Sequence, residues 1–218
     1  MARIPTALRI RNALEDAIVR GDHAPGAQLD PEAIEAEFNC SRTPVREALH
    51  QLEASGFVRV QPKRGTFVTS WTAEELAERF EAMAEMEASC GRLAARRITA
   101  DELADLETAH EACRAQVQAG NAQAYYQANS VFHHCIYRAT HNAFLMGEAA
   151  RLHAILQPYR RMQLHVHNRM MRSFQEHDQV VAAIRAGDPE ETARVLRAHV
   201  IVQGDRFHDM VAALRQTD

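Results

Sequence analysis

Residues 39–52 read NCSRTPVREALHQL. Ser41 or Thr43 can cap a helix here by offering a side-chain oxygen to its free N–H groups. Pro44 falls in the first turn, where a missing N–H costs nothing. Val45, Ala48, Leu49 and Leu52 recur at helical spacing as one apolar stripe, while Arg42, Arg46 and His50 follow at four-residue steps on another flank. A short helix with an apolar back and arginines near its N-terminus suits the major groove of DNA. Arginine reaches the guanine edge there, and the helix terminus favours phosphate. The stretch is a candidate recognition helix.

Upstream, Ile10, Leu14, Ala17 and Ile18 mark an amphipathic helix that Gly21 can end. The segment His23–Gln28, with Pro25 and Gly26, is read as a turn. Asp30 and Pro31 then open a second helix with Ile34 and Phe38 facing inward. Asn39 and Cys40 turn the chain into the recognition candidate, which completes a helix-turn-helix. Downstream, Gly56 closes the third helix, and Phe57–Val60 and Thr66–Thr69 are β-prone runs. The connector Gln61–Gly65 between them carries Lys63 and Arg64 at the tip of a hairpin. Such a tip is either a solvated turn with ordinary surface charge or a wing touching DNA backbone or minor groove. Its position beside Arg42 and Arg46 favours the wing.

From Thr72 onward the pattern is helical, with starts at Thr72/Glu75, Thr99/Glu102 and Asp188-Pro189/Glu191. Helices are expected near 73–97, 100–119, 121–139, 142–158, 163–186 and 189–215, punctuated by Gly120, Asn142, Pro158 and Gly187. The expected fold is mainly α, an N-terminal winged helix-turn-helix over 1–70 followed by an all-α antiparallel helical bundle over 71–218. A chain of 218 residues with 46% hydrophobic residues has ample material for both. The net charge of -4, with acidic and basic side chains balanced over residues 1–70, makes any DNA contact a matter of local placement. Four scattered cysteines without a CxxC pair read as reduced thiols, and no run is long enough for a signal core or membrane span. A soluble, cytoplasmic protein is expected.

Twelve histidines invite sorting. Asn129 and His133 share a helical face with Tyr126, Ile136 and Tyr137. His177 lies among Phe174, Val180, Val181 and Ile184, and His199 among Val195, Leu196 and Val202. Three helices thus each point an imidazole inward. One histidine on an apolar face is ordinarily a satisfied core residue, whereas three on neighbouring helices could converge as nitrogen ligands with positions left open for a small molecule. Spacing leaves both readings open. His134, His165, His167 and His208 share no such stripe, and His23, His110, His141 and His153 show no partner signal. No GxSxG, HExxH or phosphate-binding glycine loop occurs.

The order of PGAQLD, SRTPVREAL, LEASGFV and PKRGTFV over about residues 5–70 closely resembles the winged helix-turn-helix of GntR-family transcription regulators. NSVFHH (129–134), the Asn142 turn and EHDQVVAAIRAGD (176–188) leading to His199 resemble the FCD effector domain of that family's FadR-like branch. The resemblance implies a homodimer on a short, near-palindromic double-stranded operator, controlled by a small metabolite. It also implies a divalent metal, of zinc or nickel type, held by His133, His177, His199 and the residue at 129. An aspartate is the family's residue at that place; Asn129 offers a carbonyl oxygen but no charge. The arginine frequent in the family's first bundle helix falls near Met83, and a second-helix arginine of some relatives falls on Ala33. On the DNA side Arg42, Thr43, Arg46 and the wing Gly65 match.

The function expected from these residues is a sequence-specific transcription regulator and repressor, not an enzyme. Arg42, Arg46 and Thr43 with the wing Lys63, Arg64 and Gly65 would contact DNA, and a small carboxylate would act at a metal-containing site in the bundle. Two alternatives share the histidines: a regulator for which the metal itself is the signal, and a metal-dependent hydrolase. The hydrolase wants an acid paired with the cluster as general base, and none is apparent in the sequence.

Overall fold

The computed structural model describes the backbone of residues 5–163 and 169–214, and side-chain surroundings for residues 5–160 and 169–201. The expected positions His165, His167 and His208 lie outside the described side chains. Contacts divide the chain between Thr72 and Ala73 into two compact units.

The first unit contains α1 (Thr6–Arg20), β1 (Gln28–Leu29), α2 (Pro31–Phe38), α3 (Arg42–Ala54), β2 (Val58–Gln61) and β3 (Gly65–Val68). Ile10, Leu14 and Ile18 of α1 are buried, as are Val45, Ala48, Leu49 and Leu52 of α3, so the two apolar stripes supply the core. Asp30 caps α2 by accepting a bond from the Glu32 N–H, with Pro31 in the first helical position. Ser41 sits at the N-cap of α3 with extended backbone but makes no side-chain cap bond, and Thr43 falls inside the helix.

Two local expectations are corrected. Gln28, expected in a turn, instead pairs with Phe67, and Leu29 with Thr66, so β1 adds a third antiparallel strand in the order β1-β3-β2. Two residues are too few for alternation to show in sequence. The hairpin connector is shorter than expected, because Gln61 and Gly65 already pair and leave residues 62–64 as the turn. Lys63 there has φ 63°, and the Arg64 N–H closes on the Gln61 carbonyl at 3.0 Å.

The second unit comprises α4 (Ala73–Arg97), α5 (Ala100–Ala119), α6 (Ala122–Ala139), α7 (Ala143–Gln163), α8 (Arg169–Arg185) and α9 (Pro189–Leu214). Thr99 and Glu102 form a reciprocal capping box at the start of α5. Asp188 accepts bonds from the N–H groups of Glu190 and Glu191 at the start of α9. The core is built from Leu76, Phe80, Leu106, Phe132, Ile136, Leu156, Val180, Ile184 and Leu196. Gly91 lets α4 and α9 pack tightly: a Cβ there would run into the Leu196 and Thr192 side chains. Pro158, expected to end a helix, lies inside α7. It forfeits one backbone bond, but Ile155, Leu156, Tyr159 and Arg160 are buried on either side of it and hold the helix through that point. The helix expected from 163 is described from Arg169, residues 164–168 being outside the described backbone.

Candidate functional site

Two surfaces carry the chemistry expected from sequence, one in each unit. In the first, Arg42, Thr43, Arg46 and His50 are all exposed on α3, opposite its buried stripe. Arg42, Arg46 and His50 line a cleft of about 320 Å³ with Val60 and Thr66 of the hairpin and Pro31 of α2. Glu53 ties helix to hairpin: its Oε1 accepts a bond from the Val60 N–H at 3.0 Å, and its Oε2 lies 3.7 Å from His50 Nδ1. Lys63, Arg64 and Gly65 are exposed at the turn. Gly65 also has a structural reason to be glycine. Its φ is 115°, and a Cβ would stand 2.8 Å from Gln28 Nε2, which donates to the Arg64 carbonyl.

In the second unit, His133 from α6, His177 from α8 and His199 from α9 converge, each offering a nitrogen within 4.8 Å of the others. All three are buried. Ring centroids are separated by 5.4 Å for His133–His177, 5.3 Å for His133–His199 and 4.8 Å for His177–His199. Asn129 lies one turn before His133 on α6 and is buried as well.

The surroundings of each imidazole fix its protons. Glu87, from the middle of α4, is fully buried and receives His133 Nδ1 at 2.8 Å and the Tyr137 hydroxyl at 2.7 Å. Burial alone would raise its pKa, but His133, His153 and the Arg160 guanidinium draw the carboxyl well below the usual carboxylate range. An ionised carboxylate only accepts, so His133 Nδ1 carries a proton and donates, and Nε2 holds the lone pair. Burial also lowers the pKa of His133 and keeps the ring neutral. His199 Nδ1 bonds Glu176 at 2.6 Å. Burial lowers the His199 pKa to about 4, even though Glu176 opposes the shift. Burial would raise Glu176, but the bond from His199 and the charge of Arg169 bring it to about 2.

His177 differs from both. Its ring stacks on Phe132 with centroids 4.1 Å apart, and burial, then His199 and His133, lower its pKa well below the ordinary value. Neither ring nitrogen has a hydrogen-bond partner among the described residues, although the side chain is fully buried. Orphaned polar atoms in a core cost about 1–3 kcal/mol each. On the neutral ring one of the two is an N–H and the other a lone pair, and the lone pair, beside two further imidazoles, fits a cation. The donor set, neutral imidazoles with an amide oxygen nearby in sequence, suits a borderline divalent ion.

Several members of this cluster escape the sequence reading. His153, expected to have no partner, is fully buried, with Nδ1 3.0 Å from the Tyr137 hydroxyl and 2.9 Å from Arg160 Nη1. Arg160 is buried at 4% exposure and also points Nη2 at His133 Nε2, 3.4 Å away. Glu87 supplies the acid that seemed missing beside the histidines, but both its oxygens are engaged by protein donors in a closed core. His110, another without an expected partner, bonds Asp178 at 2.7 Å and stacks on Phe174. Glu87 was detectable as the one carboxylate on the stripe Met83, Ala84, Ala88 and Gly91.

The FCD domain pattern matches residues 78–201, and the pattern of bacterial regulatory proteins of the gntR family matches residues 6–68. The chain is 30% identical over 227 aligned positions to the HTH-type transcriptional repressor NanR of Klebsiella aerogenes, covering 92% of this chain and 84% of that protein. It is 27% identical over 200 residues to a probable D-xylose utilization operon transcriptional repressor of Paenarthrobacter nicotinovorans, covering 92% and 88%. Among solved structures, E. coli McbR/YncC superposes with a TM-score of 0.81 at 22% identity, covering 99% of this chain and all of that one. No described helix is long and apolar enough to cross a membrane.

Proposed function

The chain belongs to the GntR family of DNA-binding transcription regulators and carries the family's FCD domain, and on that premise we propose that it is a homodimeric, cytoplasmic repressor released from its operator by a small carboxylate. Repression is supported by the names of the relatives with repressor activity. DNA reading falls to Arg42 and Arg46, each good arginine–guanine pair contributing roughly 1–3 kcal/mol of discrimination. Thr43, Lys63, Arg64 and the Gly65 turn would take phosphate, and two copies would set their α3 helices in major grooves about one DNA turn apart.

The observation that carries the effector reading is the convergence of His133, His177 and His199, with both nitrogens of the buried His177 unpartnered among the described residues. These residues, with the amide oxygen of Asn129, would hold a divalent ion of zinc or nickel type. A bound ion would supply a Lewis-acidic position for a carboxylate oxygen. The chain's own groups do the rest. Glu87 and Glu176 hold the tautomers of His133 and His199, and the ring of Phe132 against His133 and His177 gives the site an apolar wall.

Metal content and binding to the upstream region of its own gene, with and without chelator, test this directly. Stoichiometric metal whose removal changes DNA affinity is the expected result. Arg46→Ala should abolish operator binding while circular dichroism and dimer mass stay unchanged; retained affinity would overturn the assignment of α3. If DNA affinity tracks free metal with no organic ligand present, the metal itself is the signal.

A further inference from the structure

The polar core around the three histidines contains a cation of its own, and its placement couples two ligands. We infer that Arg160 and a divalent ion compete for one lone pair, Nε2 of His133, so that an arriving ion turns a guanidinium N–H over to an anionic ligand. The inference rests on reading the three histidines as a metal site, and it assigns to that site a carboxylate anchor on α7.

Because the Glu87 carboxylate holds the Nδ1 proton of His133, the neutral ring has a single acceptor left, Nε2. Arg160 Nη2 sits 3.4 Å from that nitrogen, and a guanidinium can only donate. His133 is also the one residue common to both potential ligand groups, His133–His177–His199 and Glu87–His133–His153. The second of these is already filled by a cation: Arg160 Nη1 lies 2.9 Å from His153 Nδ1 and 4.0 Å from Glu87 Oε1. In the first, His177 has both nitrogens unpartnered among the described residues. An ion bound there needs Nε2 of His133, since Nδ1 is committed. One lone pair cannot serve both.

What Arg160 lacks explains what it would accept. Glu87 is the only carboxylate within 4.0 Å of it among the described residues, at a distance too long for a hydrogen bond. Glu87 also spends both oxygens on His133 and Tyr137. Among the described residues its hydrogen-bond partners are imidazoles and Glu87 offers it charge without a hydrogen bond, so the planar fork, which matches a carboxylate, is not used for one. Displaced from His133, it faces the remaining position beside the ion. Metal and carboxylate therefore bind with positive coupling, and each raises the affinity of the other by the same factor.

The test uses full-length protein stripped of metal, with zinc affinity read by competition against a chromophoric chelator, in chloride buffer and in the same buffer with millimolar acetate or phosphate. Acetate should tighten zinc binding to the wild type about fivefold or more, within the usual range of coupling between sites, and phosphate should do less. Arg160→Met should bind zinc more tightly than the wild type without acetate, because the competing donor is gone, and acetate should then have no effect. Arg160→Leu, which also lacks a donor, serves the same purpose if the methionine variant does not fold. An acetate response that survives in either variant, or no acetate response in the wild type, overturns the coupling while leaving the metal site standing. A wild type that takes up no zinc, indistinguishable from His177→Ala, overturns both.

Discussion

Replacing Glu87 by glutamine removes one charge and exchanges one acceptor for a donor at the centre of the helical unit. Glu87 has no exposed surface and accepts two bonds, from His133 Nδ1 at 2.8 Å and from the Tyr137 hydroxyl at 2.7 Å. Glutamine keeps the shape, but its carbonyl can serve only one of these donors, and its NH2 group must face the other. One buried donor is thereby left unmet, at about 1–3 kcal/mol, and the nearest carboxylate to Arg160 is lost with it. The expected destabilisation is about 2–4 kcal/mol, or roughly 4–16 °C in Tm at the ~2–4 °C per kcal/mol usual for chains of this length. Tyr137→Phe removes one of the two donors, so in its background Glu87→Gln should cost less. Thermal or urea unfolding of the two single variants and the double variant forms a cycle, with an expected coupling of about 1–2 kcal/mol. Additivity within about 0.5 kcal/mol would refute the shared network and leave Glu87 as a residue buried for other reasons.

Two further outcomes follow from the geometry. In the presence of chelator, stability should fall as pH drops from 6.5 towards about 4, because the unfolded chain protonates His199 at its ordinary 6.5 while the folded chain does so only near 4. At about 1.4 kcal/mol per unit this amounts to about 3 kcal/mol, fully retained above 6.5 and lost by pH 4, with His177 adding the same sign. Tm measured across that window should slope visibly less in His199→Gln, and a flat wild-type profile would count against neutral buried imidazoles. Gly65→Ala should weaken both the hairpin and DNA binding, since alanine at φ 115° is strained and its Cβ meets Gln28. Restoring normal affinity by shortening Gln28 to alanine would point to the steric contact over the backbone angle.

The helix-turn-helix was legible because each of its parts is local. Val45, Ala48, Leu49 and Leu52 are buried at their helical spacing, Asp30 and Pro31 open α2, and the basic flank of α3 faces out. β1 was not legible, since Gln28–Leu29 becomes a strand only by pairing with β3 some 40 residues later. Helix boundaries in the bundle followed caps such as Thr99/Glu102, whereas the boundary that rested on Pro158 was misplaced, since α7 runs on to Gln163. Proline lowers helix propensity by a fixed local amount, whereas the burial of Leu156, Tyr159 and Arg160 that outweighs it is tertiary.

That single boundary explains why half of the site was missed. Ending the helix at Pro158 leaves Arg160 in a loop, with no face to share with His153. Once α7 runs through Pro158, the two lie seven residues apart, two turns along one face, and Arg160 reaches His153 and His133 together. The position where the family's arginine would fall, Met83, is buried and apolar here, and the buried cation beside His133 and His153 is Arg160 of α7. Glu87, one turn beyond Met83, then faces Arg160 across the core at 4.0 Å. A buried charge of either sign is costly alone, so the carboxylate on α4 and the guanidinium on α7 each make the other tenable. The three histidines could be read from apolar stripes one helix at a time, but the charges that set their protons exist as a pair only once α4, α6 and α7 are packed.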